Sequence, residues 1–139
     1  MEIQIRRFKE SDIDCLVEII KLNDQYKYPI IDGPSAMMRV ANCEAAVFLV
    51  AEVEKQPRGF IRAVYDGSRA LIHQLSIHPD YQDRGIGSAL VETVCAELFR
   101  RGAPTISATI TEQSVSFWEK NGFRRTLAFL VLKELGKTC

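Results

Sequence analysis

The chain has 139 residues, 47% of them hydrophobic and 26% charged, and its 18 basic and 18 acidic residues cancel to a formal net charge of +0. That length suits one domain whose core removes about two thirds of the unfolded surface from water, and a chain with no net field has no global attraction to nucleic acid or anionic lipid. The longest apolar runs, 45–51 and 127–132, fall far short of a bilayer span and the first residues lack a signal-peptide pattern, so a cytoplasmic protein without membrane or nucleic-acid partners is expected.

Ile3, Ile5 and Phe8 begin a strand, after which Ser11 and Asp12 offer N-caps for a helix with the apolar stripe Ile13, Leu16, Val17 and Ile20, ending near Asn23. The polar, Tyr-rich and Pro-rich stretch from Asp24 to Pro34 reads as a loop, and a short helix through Met37, Met38 and Val40 follows. Val47 to Val53 and Phe60 to Tyr65 are strand runs joined by a turn at Glu54 to Gly59. Asp66-Gly67 is a hairpin signal into a third strand, Ala70 to His78, which makes an antiparallel meander.

At residues 78 to 90 the sequence His-Pro-Asp-Tyr-Gln-Asp-Arg-Gly-Ile-Gly-Ser-Ala-Leu carries this strand into two glycines and then into a long helix. Gly85 and Gly87 lack Cβ atoms, so the backbone from Gln82 to Ser88 can approach a bulky anion with amides at a helix start whose dipole favours negative charge. That layout suits a pyrophosphate; an ordinary glycine-bearing turn is the other reading of an isolated pair. A Rossmann fingerprint wants a third small residue where Leu90 stands, and no Walker A run exists in the chain.

The helix shows Leu90, Val91, Val94, Cys95 and Leu98 on one face, with Gly102 as its C-cap. A strand at Thr105 to Thr109, a short helix at Ser114 to Asn121 and a final strand from Phe123 to Leu132 complete a chain read as one domain, 1–139, without repeats or linkers. Cys15, Cys43, Cys95 and Cys139 are scattered with no metal-ligand spacing, so no metal is expected. Cys15 and Cys95 read as small buried hydrophobes, and Cys139 as an exposed terminal residue.

Leu75-Ser76-Ile77-His78-Pro79 followed by Gln82-x-x-Gly85-x-Gly87 resembles the central motif of the GNAT superfamily of acetyl-CoA-dependent N-acetyltransferases. Ser114-Val115-Ser116-Phe117-Trp118-Glu119-Lys120-Asn121-Gly122-Phe123 resembles that family's later motif, a short helix closing with Gly-Phe. The resemblance implies an α/β (α+β) fold with a mostly antiparallel central sheet flanked by about four helices. It implies N-acetyl transfer from acetyl-CoA to a primary amine of a small molecule or peptide, directly within a ternary complex, with homodimerisation left open. It places coenzyme A against Leu75, Ser76 and Ile77, along Gln82, Asp83, Arg84, Gly85, Ile86, Gly87 and Ser88, and beside Thr111, Ser114, Phe117 and Trp118. The acceptor wall falls on Tyr26, Tyr28, Met37 and Met38, for which ordinary packing is the alternative.

Acetyl transfer needs a neutral amine, stabilisation of the developing oxyanion and a proton for the departing thiolate. The resemblance puts the Leu75 amide beside the thioester carbonyl and Ile77 along the pantetheine arm as if a strand were added. His73 leads as base, since strand alternation places it on one side with Leu75 and Ile77 and its ordinary pKa near 6.5 suits the task. Glu52, with salt bridging as its alternative, is the reserve, and His78 reads as ending the strand. Two positions depart from the family. Trp118 stands at the usual thiolate-protonating tyrosine, and an indole cannot act as an acid at physiological pH; Thr111 stands at the usual cofactor-binding asparagine. A noncatalytic acyl-CoA-binding or sensory module is therefore the alternative function.

Overall fold

The computed structural model describes residues 1–136. Five strands form one sheet in the order β1 (Ile3–Arg7), β2 (Ala46–Val53), β3 (Gln56–Tyr65), β4 (Ala70–Ile77) and β5 (Ile106–Ala108). The first four are antiparallel neighbours; β5 lies parallel to β4, which requires the crossover that α4 (Ile86–Arg100) provides. The other helices are α1 (Ile13–Leu22), α2 (Pro29–Asp32), α3 (Pro34–Ala41) and α5 (Val115–Lys120).

Alternation along β2 and β3 sends side chains to two separate cores. Leu49, Ala51, Ile61 and Ala63 meet Leu90, Val94 and Leu98 of α4 on one face, with Trp118 completing that cluster. Phe48, Val50 and Phe60 meet Leu16, Ile19 and Ile20 of α1 and Met37 of α3 on the other. Each buried aliphatic or aromatic side chain contributes roughly 1.5–3 kcal/mol. The sheet is thus covered on both faces, and its functional surface has to arise at strand ends and edges.

Asp66 accepts from the amides of Ser68 and Arg69, both at 2.8 Å, and Gly67 adopts φ +98, so the Asp-Gly hairpin forms as its sequence implies. The turn between β2 and β3 is tighter than expected. Glu54 and Lys55 alone make it, at φ +53 and +65, and β3 starts at Gln56. Neither is Gly or Asn, so the usual signal for a primed hairpin turn is missing.

Three further expectations are corrected. The stretch read as a loop contains the single turn α2, organised by buried Asp32, whose Oδ2 accepts from the amides of Lys27 and Tyr28. Neither Ser11 nor Asp12 caps α1 through its side chain. Asp12 instead meets Arg6 twice at 2.8 Å and accepts from the Lys9 amide, and this strong pairing, with Glu52 on the same guanidinium, raises the Arg6 pKa. The final strand does not form: beyond Phe123 the described residues have no regular structure, and Leu127, Phe129, Leu130, Val131 and Leu132 are exposed. Apolar residues supply strand propensity, but a strand also needs a neighbour, and this run has none among the described residues. Cys15, Cys43 and Cys95 are free thiols, with Cys15 and Cys95 only half-buried; Cys139 lies outside the described residues.

Candidate active site

The register of β3 with β4 passes from Arg62 opposite Gln74 to Ala63 opposite Ile72, leaving His73 with no partner. This is a β-bulge, and it interrupts the alternation expected to place His73 with Leu75 and Ile77. Ile72, Leu75 and Ile77 pack towards α4, while Gln74 and Ser76 oppose Arg62 and Phe60. Pairing with β5 ends at the same level, its last bond running from the Thr109 amide to the Ile72 carbonyl at 3.2 Å. The two parallel strands separate beyond that point.

Because the His78 amide donates to the Arg58 carbonyl, the even-numbered residues of this stretch bond to β3, and Leu75 and Ile77 turn their N–H and C=O groups to the opened edge. The Ile77 carbonyl is already engaged: Asn23 Nδ2 donates at 2.8 Å and Gln82 Nε2 at 3.0 Å. Asn23 also donates to buried Ser76 Oγ at 2.8 Å and accepts from Gln82 at 3.2 Å. Asn23 was invisible in the sequence, where it merely ended a helix. His78 ends the strand as read, its Nδ1 accepting from the Asp80 amide at 3.1 Å.

Past this clamp, Asp83 at φ +62 and Gly85 at φ +88 turn the chain into α4. Among the described residues, no acceptor is found for the amides of Asp83 to Ser88, which gather at the start of a 15-residue helix. The two glycines serve different ends. Gly85 supplies the left-handed conformation with open space where a Cβ would stand, whereas a Cβ at Gly87 would meet the Phe117 ring at 3.1 Å. Gly87 therefore lets α4 and α5 pack closely, a role its sequence context did not suggest, while Gly85 makes the turn. Arg58 and Arg84 flank the Tyr81 ring at 4.7 and 5.2 Å, bringing two cations to this end of the molecule. Ser88 is exposed in the first turn of α4, and Thr111 and Ser114 bond each other's oxygens at the start of α5.

His73 keeps an exposed edge, yet the protein around it and the neighbouring Arg62 charge pull its pKa below the ordinary value. Glu52 sits elsewhere: Arg6 Nε donates to its carboxylate at 2.6 Å, and it lines a concavity of about 590 Å³ with Tyr81, Arg84 and the start of β1 that does not include His73. Val47 opposes Ala63 at the bulge, and Glu52 lies five residues further along β2, a distance of about 16 Å for a strand. The structure does not bring the two base candidates together.

The residues read as an acceptor wall separate as well. Met37 is fully buried beneath α1 and cannot line a pocket. Tyr26, Tyr28 and Met38 are half-buried on the α1 and α3 side, with Lys21 Nζ 5.1 Å from the Tyr26 ring centre. Trp118 is only 5% exposed, between Phe117 and Phe123 in edge-to-face contacts at 5.3 and 5.1 Å. Little of the indole is left to meet the coenzyme A that the resemblance places beside it. Arg62, half-buried beside His73, is the other residue that the sequence did not single out.

No described helix is long and apolar enough to cross a membrane, and among the described residues no group of three His, Cys, Asp or Glu could hold a metal. Residues 16–123 match the family model for the acetyltransferase (GNAT) family. An acetyltransferase of Sodalis glossinidius is 31% identical over 133 residues, covering 94% of this chain and 93% of the relative. One from Pectobacterium atrosepticum is 31% identical over 121 residues, with 85% of each covered. Among solved structures, a PaiA N-acetyltransferase of Thermoplasma acidophilum in complex with coenzyme A superposes with a TM-score of 0.79 at 19% identity, over 89% of this chain and 91% of that one. A transcriptional regulator of Bacillus halodurans gives 0.81 at 23% identity, over 96% and 100%. Motif order, a sheet that opens at a β4 bulge, and matches spanning most of the chain agree: the protein is an acyltransferase and belongs to the GNAT family of acetyltransferases.

Proposed function

We propose that the protein transfers an acetyl group from acetyl-CoA to a primary amine of a small molecule or peptide, directly within a ternary complex, the chain acting as one catalytic domain. The observation that carries this reading is the opened outer edge of β4 at the His73 bulge, continuous with the unpaired amides at the start of α4. An extended amide-bearing arm ending in phosphates fits those groups in that order, as an added strand followed by an anion on a helix N-terminus.

Leu75 through its backbone groups and Ile77 through its N–H would hold the arm, and the amides of Asp83 to Ser88, with the Arg84 side chain, the pyrophosphate. Acetyl-CoA supplies an activated acyl group whose C–S bond breaks as the acceptor's C–N bond forms. The Leu75 amide polarises the acyl carbonyl from the strand edge. His73, held largely neutral at pH 7 by its lowered pKa, takes the proton that the amine loses. The thiolate takes a proton from water, since the Trp118 indole is buried and cannot supply one. The coenzyme A complex of the Thermoplasma enzyme supports the same cofactor class here. Incubation with acetyl-CoA and a broad amine panel, read by mass spectrometry and free-thiol release, tests this; a folded protein that binds coenzyme A yet acetylates no amine would overturn it.

A further inference from the structure

We infer that the acceptor of this site is an amine that also carries a carboxylate, an amino acid or a close relative, and that Arg62 receives the carboxylate. The inference rests on the acetyl-transfer reading above and names its substrate class.

Arg62 stands on β3 between Phe48 of β2 and Gln74 of β4, and two residues from Phe60 it shares the face towards α1 and α3. Its guanidinium lies 5.9 Å from the Phe48 ring centre. Nε is shut off from solvent and donates to nothing among the described residues, and the hydrogen bond the guanidinium does make is a long one, Nη1 to Gln74 Oε1 at 3.4 Å. Arg6, by contrast, meets two carboxylates at 2.6 and 2.8 Å, and no described carboxylate comes within ion-pair distance of Arg62. Withdrawing a guanidinium from water without an anion is costly, and burial accordingly lowers its pKa. A ligand that brings the missing anion removes that cost. The planar fork of donors matches a carboxylate in two-point contact.

Two neighbours narrow the choice. Asp32 lies close enough for its charge to act on Arg62, and its Oδ2 is already held by the amides of Lys27 and Tyr28. One cation partly offset by a fixed anion suits a single negative charge, whereas a phosphate dianion would also face Asp32. His73 is the second neighbour: it is the bulged residue next to Gln74, Arg62's cross-strand partner, and it feels the Arg62 charge. A carboxylate at Arg62 and an amine at His73 are therefore close enough to belong to one small molecule.

The test titrates the coenzyme-free protein with each common amino acid against its own carboxamide, which keeps the shape and removes the charge, and then assays acetyl transfer to the same pairs. At least one free amino acid is expected to bind tenfold or more tightly than its carboxamide, with a similar ratio in kcat/KM. In Arg62→Gln both ratios fall towards one, and Arg62→Lys recovers part of them, since it restores charge without the fork. Circular dichroism checks the fold of Arg62→Gln; if that variant does not fold, the wild-type and Arg62→Lys ratios decide. Wild-type preference for carboxamides, no amino acid bound, or an unchanged ratio in folded Arg62→Gln overturns the inference. Arg62-dependent binding without acetyl transfer keeps the carboxylate site and sinks the transfer reading; transfer to uncharged amines alone does the reverse.

Discussion

The Asn23 side-chain amide donates to the Ile77 carbonyl at 2.8 Å, fastening the end of α1 to the end of β4 where the loop into α4 departs. In Asn23→Ala, buried Ser76 loses its partner and Gln82 loses one of its two acceptors. Stability should fall by about 1–2 kcal/mol, and coenzyme A affinity by several fold as the loop loosens. Denaturant melts and calorimetric titration check the two effects separately. Unchanged affinity beside lowered stability would confine Asn23 to a structural role.

His73 is depressed below its ordinary pKa by burial and by Arg62, so if it is the base, the acidic limb of kcat/KM should fall below pH 6.5. His73→Gln should remove the limb and lower turnover by about 10²-fold or more. The same shift acts on stability. Below pH 6.5 the unfolded chain binds the proton first, so the His73 contribution is fully present above pH 6.5 and lost as pH falls towards the folded-state pKa. Melting curves of wild type and His73→Gln should therefore differ in slope below pH 6.5.

Gly85→Ala forces a side chain into φ +88 without meeting any atom, so it should fold with a loss of about 1–2 kcal/mol. Gly87→Ala pushes on the Phe117 ring and should shift that ring and weaken coenzyme A binding more than Gly85→Ala does. Thermal melts with parallel titrations decide. Equal affinity in both variants would show that the α4 and α5 contact does not shape the site.

Trp118 joins Phe117 and Phe123 in one aromatic cluster. Trp118→Ala should cost about 3–5 kcal/mol, while Trp118→Phe and Trp118→Tyr should melt a few degrees lower with turnover per folded molecule within a few fold. A Trp118→Tyr variant that releases thiol much faster in a pH-dependent way would show that the position reaches the sulfur after all.

The elements with local signals were legible. The Asp66-Gly67 hairpin and the α4 stripe ending at Gly102 are set by residues next to one another in sequence, and both form. The β4 bulge was not legible, because a skipped partner on β3 leaves no mark in the alternation of Leu71 to Ile77. Arg62 and Asn23 escaped notice for a related reason: each gains meaning only from residues 11 to 59 positions away that the fold delivers. Met37 and Trp118 were read as lining the acceptor and coenzyme A sites on their type and motif position, whereas the fold buries both side chains. The run from Leu127 to Leu132 carries the apolar content of a strand without its pairing partner, which composition alone cannot reveal.

That exposed run bears on how the protein behaves in bulk solution. With a formal net charge of +0, whole-molecule repulsion does nothing to hold copies apart. Colloidal stability falls instead to the charges bracketing the run, Arg124 and Arg125 before it and Lys133 and Glu134 after it, which act as gatekeepers against intermolecular sheet growth. Their protection is short-ranged and weakens as ionic strength rises, so added salt favours precipitation of this chain even where the fold itself is undisturbed.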